Sequence, residues 1–192
     1  MIPVRLPDAR IEMDPEWLSR RDAEALFHQL RDGIAWEVHR IRLFGRMHAS
    51  PRLSCWIGDA GARYRYSGTL FEPHPWPEAL LSVRARLRRE LGVDFNSVLA
   101  NLYRDGRDAM GWHSDDEPEL GPEPVIASVS LGATRRFLLK HRIRPDARLT
   151  LELPPGSLLV MSGPTQRHCQ HALPRTQRMV GERINLTFRR VL

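Results

Sequence analysis

Two cysteines, Cys55 and Cys169, are all the thiols that the 192 residues carry. They are too few for a disulfide framework and too isolated for the CxxC pairs of a zinc ribbon, so both are expected to be free in a reducing compartment. No apolar run approaches the ~18 residues of a membrane-spanning helix, which argues against a membrane protein of that kind. The opening residues, MIPVRLPDARIEMD, lack the apolar stretch of a secretory signal. The expected location is therefore intracellular, the cytoplasm of a bacterium or the nucleus of a eukaryote. Lysine is also nearly missing, since Lys140 stands alone among 29 basic residues. Internal repeats and low-complexity linkers are absent, and nothing marks a boundary inside the chain.

What is present describes an ordinary globular chain, 42% hydrophobic and 27% charged. Its length suits one domain, residues 1–192, with a sizeable core. The net charge of +6, almost all of it on arginine, points to a polyanionic partner. Arginine suits phosphate through its planar fork, although an arginine bias in codon usage produces the same composition. A monomer is expected.

Ser19 with Asp22 forms a capping signature, and Ala23, Leu26, Phe27 and Leu30 follow at helical spacing, with Gly33 as the expected C-terminal cap. A second helix begins near Pro77, with Leu80, Val83, Leu87 and Leu91 on one face, arginines on the solvated face and Gly92 closing it. From residue 97 the pattern changes to short strands at 98–103, 125–131, 136–141, 149–153, 157–161 and 183–191, separated by Pro- and Gly-rich turns. Residues 34–68 also look extended. These features predict an α+β, mainly β fold, a sandwich or jelly roll with helices packed outside and a site within.

Three side chains stand out: His113, Asp115 and His171. His113 and Asp115 are two apart, so on an extended segment they point the same way. Two imidazoles and a carboxylate on one face of a metal leave the opposite positions open, the ligand set of non-haem iron(II) oxygenases. On its own, His-x-Asp is common, and a surface loop accounts for it equally well. The last strand adds weight. In Arg183-Ile-Asn-Leu-Thr-Phe-Arg189 the odd positions are polar and the even ones apolar. The polar face is either solvent-exposed or the wall of a cavity lined by two guanidinium groups. Cα atoms six residues apart on a strand lie ~20 Å from each other, so two long arginines leaning inward reach the ends of a short dicarboxylate. Asn101 and Tyr103, again two apart, complete such a cavity.

In these segments the sequence resembles the AlkB family of 2-oxoglutarate-dependent dioxygenases, nearest to its animal-type nucleic-acid repair members. The carrying stretches are Asn101-Leu-Tyr103, Trp112-His-Ser-Asp-Asp-Glu117, Ile126-Ala-Ser-Val-Ser-Leu-Gly132, Gln170-His-Ala-Leu-Pro174 and Arg183-Ile-Asn-Leu-Thr-Phe-Arg189. Leu43-Phe-Gly45, Pro51-Arg52, Ile57-Gly-Asp-Ala-Gly61 and Tyr64-Arg-Tyr-Ser-Gly68 lie upstream in the same order, so the likeness spans about residues 35–192. It implies a double-stranded β-helix (jelly-roll) core over 97–192, a nucleotide-recognition segment over 35–68 and flanking N-terminal helices. It implies Fe(II) held by His113, Asp115 and His171, choosing His171 over His168. It assigns the co-substrate 2-oxoglutarate to Arg183 and Arg189, with Asn101, Tyr103 and Asn185 assisting, and dioxygen (O2) to the remaining metal position.

The activity that the resemblance implies is oxidative demethylation of N-alkylated bases of the 1-methyladenine and 3-methylcytosine type, in DNA with RNA as a second substrate, releasing formaldehyde and succinate. The base must be flipped or single-stranded to be reached. By the same resemblance Tyr66 stacks on the base, Tyr64 contributes a hydrogen bond to it, and Asp116 and Glu117 accept from its exocyclic amine. Phe44 is a wedge that fills the gap left by an extruded base, and Arg46 and Arg52 hold phosphates. Two other readings compete: a 2-oxoglutarate dioxygenase for a protein or small-molecule substrate, and a non-catalytic nucleic-acid-binding module. The basic, aromatic-containing segment over 40–68 argues against the first. The intact set of three donors and two arginines argues against the second.

Overall fold

The computed structural model describes residues 1–192 apart from His39, Phe44, Gly45, Ser67 and Gly68, and for 40–43, 46–48, 64–66 and 69–71 it describes the backbone alone. Strands β1 (Ile2–Val4) and β2 (Arg10–Asp14) precede helix α1 (Arg20–Gly33). Next come β3 (Arg40–Leu43), β4 (Arg46–Ala49), β5 (Leu53–Gly58), β6 (Tyr64–Tyr66), β7 (Thr69–Phe71) and helix α2 (Glu78–Leu91). The second half supplies β8 (Ser97–Tyr103), β9 (Met110–His113), β10 (Ile126–Gly132), β11 (Arg135–His141), β12 (Arg148–Leu153) and β13 (Leu158–Ser162). The single turn α3 (Thr165–His168), β14 (Cys169–Leu173) and β15 (Arg183–Arg189) complete the chain. Among the described residues no helix is long and apolar enough to cross a membrane.

A seven-stranded sheet, β1-β2-β13-β10-β15-β8-β5, and a four-stranded sheet, β12-β11-β14-β9, carry the architecture, and their pairings are antiparallel. Two apolar cores follow from strand alternation. On one side of the large sheet, Ile184, Leu186 and Phe188 of β15 pack with Leu26 and Leu30 of α1 and Leu80 and Leu87 of α2. On the other side, Ile126, Leu159 and Met161 meet Phe137, Leu139 and Leu153 of the small sheet. Each such side chain, fully buried, contributes about 1.5–3 kcal/mol. The result is a jelly roll with helices outside the larger sheet, the α+β, mainly β fold that the sequence predicts.

The predicted strands over 98–191 all form, with bounds shifted by one or two residues. β1, β2, β7, β9 and β14 fall outside the predicted strands: each is short, β1 pairs with β2, and β2 in turn pairs with β13 across more than a hundred residues. Helix α1 begins at the predicted cap, with the Ser19 side chain accepting from the Asp22 amide at 3.1 Å. Its end differs from expectation. Gly33 is helical, and Ile34 closes the last turn through its amide to the Leu30 carbonyl, with φ −93°. The chain leaves in an extended conformation, so the left-handed freedom of Gly33 is not used. Gly92 does adopt the left-handed cap predicted for α2, with φ 67°. Gly132, at φ +78°, ends β10 opposite Arg183, where a Cβ would lie 2.4 Å from the Glu182 carbonyl oxygen. Only glycine lets the chain bearing Arg183 approach this closely.

Candidate active site

β14 and β9 place His171 directly opposite His113 in the small sheet. Their ring centroids are 4.2 Å apart, and Phe137 stacks on His171 at 5.3 Å. Just beyond β9, Asp115 points inward as well. One donor atom from each of His113, Asp115 and His171 lies within 4.8 Å of the others. The His113 Nδ1 is 2.8 Å from the Gly111 carbonyl, so Nδ1 carries the proton and Nε2 keeps its lone pair. The His171 Nε2 faces Asp115 Oδ2 at 3.8 Å.

β15 sits between β10 and β8 in the interior of the large sheet, and all seven of its residues are buried. Its polar face therefore lines a cavity rather than meeting solvent. The cavity lies between the sheets, and Arg183, Asn185, Thr187 and Arg189 form one wall with Asn101 and Tyr103 beside them. Register explains the grouping, because Arg183 pairs with Tyr103 and Asn185 with Asn101. Arg183 Nη2 donates to Ser130 Oγ at 2.9 Å and to Asn185 Oδ1 at 2.8 Å, and the guanidinium lies 5.4 Å from the Tyr103 ring centroid. Its Nε is buried with no hydrogen-bond partner among the described residues. At the other end of the strand, Arg189 Nη2 donates to Asp115 Oδ1 at 2.5 Å.

Burial sets the protonation of this site. It pushes His171 down to about 3, helped by the neighbouring His113, and it lowers His113 as well. Burial alone would raise Asp115, but Arg189, His171 and His113 outweigh it and hold the carboxyl below its usual range. Two neutral imidazoles beside one carboxylate present three lone-pair donors at neutral pH. Burial also draws Arg183 down to about 10, and its described partners are neutral. A buried guanidinium with an unspent donor suits an anionic ligand. The donor set thus fits an iron(II) ion with open positions, and the arginine wall fits a dicarboxylate.

A pH dependence follows. The unfolded chain takes up a proton at His171 below about 6.5, whereas the folded, metal-free protein resists until about 3. The unfolded state binds more protons in that window, so stability falls as pH drops through it. We expect the metal-free protein to lose up to ~1.4 kcal/mol per pH unit below about 6 from His171 alone. His171→Leu should flatten the slope in urea denaturation between pH 7 and pH 5. A wild-type stability that does not change over this range would mean that the rings are charged in the fold.

The other predicted residues divide. Arg52, expected to hold a phosphate, is instead buried, and its Nε donates to Asn101 Oδ1 at 2.8 Å. The pairing of β5 with β8 carries it inward, so Asn101 is held by Arg52 as well as facing the cavity. Asp116 is exposed and paired with Arg142 at 2.6 Å, while Glu117 is half-buried at the start of a short 3-10 turn over Pro118–Leu120. Phe44 lies outside the described residues, between Leu43 and Arg46, which pair in the β3–β4 hairpin. The side chains of Arg46, Tyr64 and Tyr66 also lie outside them. Gln166, which sequence reasoning missed, is buried and accepts from the Asp115 amide at 2.9 Å. Thr187 shares the polar face of β15 and accepts from Asn185 Nδ2 at 2.8 Å.

Asp8, His141 and His168 also converge. His141 Nδ1 accepts from the amides of Ile143 and Arg144 at 3.2 Å each, which leaves its proton on Nε2, facing Asp8 at 3.1 Å. A metal at Nε2 would force a proton onto Nδ1 against two N–H donors. Arg144 already neutralises Asp8, at 3.1 Å. This cluster pins the turn after β11 instead of holding a cation. His168, which the resemblance passes over as a metal donor, is half-buried and stacks on His141 at 5.9 Å.

A family model for the 2OG-Fe(II) oxygenase superfamily matches residues 11–189. The DNA oxidative demethylase ALKBH2 of Mus musculus is 39% identical over 183 residues, covering 90% of this chain and 77% of that protein. The alpha-ketoglutarate-dependent dioxygenase alkB homolog 3 of Bos taurus is 37% identical over 192 residues, covering 95% of this chain and 66% of that protein. Among solved structures, OsALKBH1 superposes with a TM-score of 0.63 at 18% identity over 97% of this chain and 98% of that one. A Pseudomonas putida prolyl-4-hydroxylase gives 0.59 at 19% identity over 94% and 92%, and likenesses at this identity speak to the fold alone.

Proposed function

The chain belongs to the 2OG-Fe(II) oxygenase superfamily and, within it, to the AlkB family, and on that premise we propose that it removes N-linked methyl groups from DNA bases by oxidation. The observation that carries this reading is the meeting of three donors, His113, Asp115 and His171, within 4.8 Å beside a buried arginine wall. Bound iron(II), with 2-oxoglutarate and dioxygen, supplies the oxidation: the N-methyl carbon gains oxygen and leaves as formaldehyde, while the co-substrate becomes succinate and carbon dioxide.

The residues of the chain do the rest. His113, Asp115 and His171 would hold the metal through two neutral imidazoles and one carboxylate. Arg189 fixes the Asp115 carboxylate and keeps it ionised. Arg183, with Tyr103 and Asn185 around it, neutralises a carboxylate of 2-oxoglutarate, and Arg189 lies toward the other end of the same strand. Asn101, held by Arg52, shapes the wall between. Gln166 holds the Asp115 backbone so that its carboxylate keeps one direction. Asp116 and Glu117 follow directly on Asp115, two carboxylates suited to the exocyclic amine of a flipped base. Tyr64, Tyr66, Phe44 and Arg46 belong to the segment that receives it. Acting on DNA, the enzyme works inside the cell, and the net charge of +6 favours a polyanionic substrate.

The test is incubation with single- and double-stranded DNA and RNA carrying 1-methyladenine or 3-methylcytosine, read by mass. We expect loss of one methyl group with formaldehyde and succinate in equal amounts, dependent on both iron and 2-oxoglutarate. DNA left unaltered while the protein consumes 2-oxoglutarate would move the substrate elsewhere.

A further inference from the structure

His113 and Asp115 turn toward the cavity, so Ser114 between them turns away. It is buried there, and its Oγ donates to the carbonyl of Cys169, two residues before His171 in β14, at 2.7 Å. The same oxygen accepts from Arg142 Nη2 at 2.8 Å, which also donates to Asp116 Oδ2 at 2.6 Å. The Arg142 backbone amide donates to the His168 carbonyl at 2.8 Å. One residue thus bonds, from behind, to both segments that carry the three donors. The turn it sits on is itself fixed, since His141 accepts the amides of Ile143 and Arg144 and faces Asp8.

We propose that Arg142 is a positioning residue for the metal site, clamping the strand end that bears His113 and Asp115 to the strand that bears His171. The inference rests on the reading of those three side chains as metal donors. Its physical basis is preorganisation. Two imidazoles and a carboxylate gathered around one point must be held there before any cation binds, and a support behind them lowers the cost of ordering. The Arg142–Asp116 pair alone would contribute little, because both side chains are well exposed. The bond to the buried Ser114 hydroxyl is the one that reaches the donors.

Cobalt(II) is a suitable probe, because its d–d absorption reports binding without turnover. The full metal-free chain is titrated with it. Arg142→Met is expected to raise the cobalt(II) dissociation constant about tenfold, and Ser114→Ala by a similar factor. The double variant should be no weaker than the worse single one, since both remove the same link. Arg144→Met, which deletes an ion pair to Asp8 from the same turn, should bind as the wild type does. Unaltered cobalt(II) affinity in Arg142→Met or in Ser114→Ala would overturn the clamp, as would an equal loss in Arg144→Met. A wild-type chain that binds no cobalt(II) would overturn the donor assignment and this inference with it.

Discussion

Asp115→Ala and His171→Leu are each expected to abolish turnover, and to differ sharply in stability. Both remove a proposed metal donor, and losing the metal-assisted step costs several kcal/mol of transition-state stabilisation, ~10³-fold or more in rate. Their surroundings differ. Asp115 is the buried carboxylate to which Arg189 donates at 2.5 Å. Deleting one partner of a buried ion pair typically costs about 3–5 kcal/mol. His171 is buried, and its acidity is so raised that the ring is uncharged near pH 7. Leucine of similar size can pack on Phe137 in its place, for less than about 1.5 kcal/mol. Urea denaturation of the metal-free proteins at pH 7.5 and formaldehyde release together check this. Equal stabilities would mean that the Arg189–Asp115 pair does not hold the sheets together. Residual formaldehyde above about one part in a hundred would remove either residue from the ligand set.

Part of this arrangement was legible because it is written in local period. The alternation in β15 separates Ile184, Leu186 and Phe188 from Arg183, Asn185, Thr187 and Arg189, and strand geometry sends the two sets to opposite faces. Whether the polar face met water or a cavity depended on β15 lying between β8 and β10, a fact of pairing across some eighty and fifty residues. Arg52 shows the same limit from the other side. An arginine beside Pro51 in a basic stretch looks like a phosphate contact, yet the register of β5 on β8 buries it against Asn101. His113 and His171 could be named from sequence, but their direct opposition in β9 and β14 could not, because neither strand has a pattern of its own. Gln166, Ser114 and Arg142 touch the donor segments from turns and loop ends, where no periodicity marks them.

Arg183→Met should make the ligand-free protein more stable while leaving it nearly blind to 2-oxoglutarate. The guanidinium is buried, its protonation is drawn down to about 10 chiefly by that burial, and its described hydrogen-bond partners are the neutral Ser130 and Asn185. Replacing a buried charge with an apolar side chain of similar volume is often neutral or stabilising by about 1–4 kcal/mol. Asn185 keeps partners after the change, since Ser128 Oγ donates to it at 3.0 Å and it donates to Thr187 at 2.8 Å. On the proposed reading the variant forfeits a charge-assisted contact with a carboxylate of 2-oxoglutarate, ~2–3 kcal/mol, or up to ~100-fold in the co-substrate concentration required. In the wild type, ligand at a hundred times its dissociation constant adds about 2.7 kcal/mol of stability, and most of that disappears with the arginine. Thermal melts with manganese(II), with and without 2-oxoglutarate, should therefore cross: the variant melts higher alone and lower with ligand. A variant that gains as much from 2-oxoglutarate as the wild type would place the anion elsewhere. One that is several kcal/mol weaker without ligand would make Arg183 a structural residue, because its neutral partners would then have been enough to stabilise its charge.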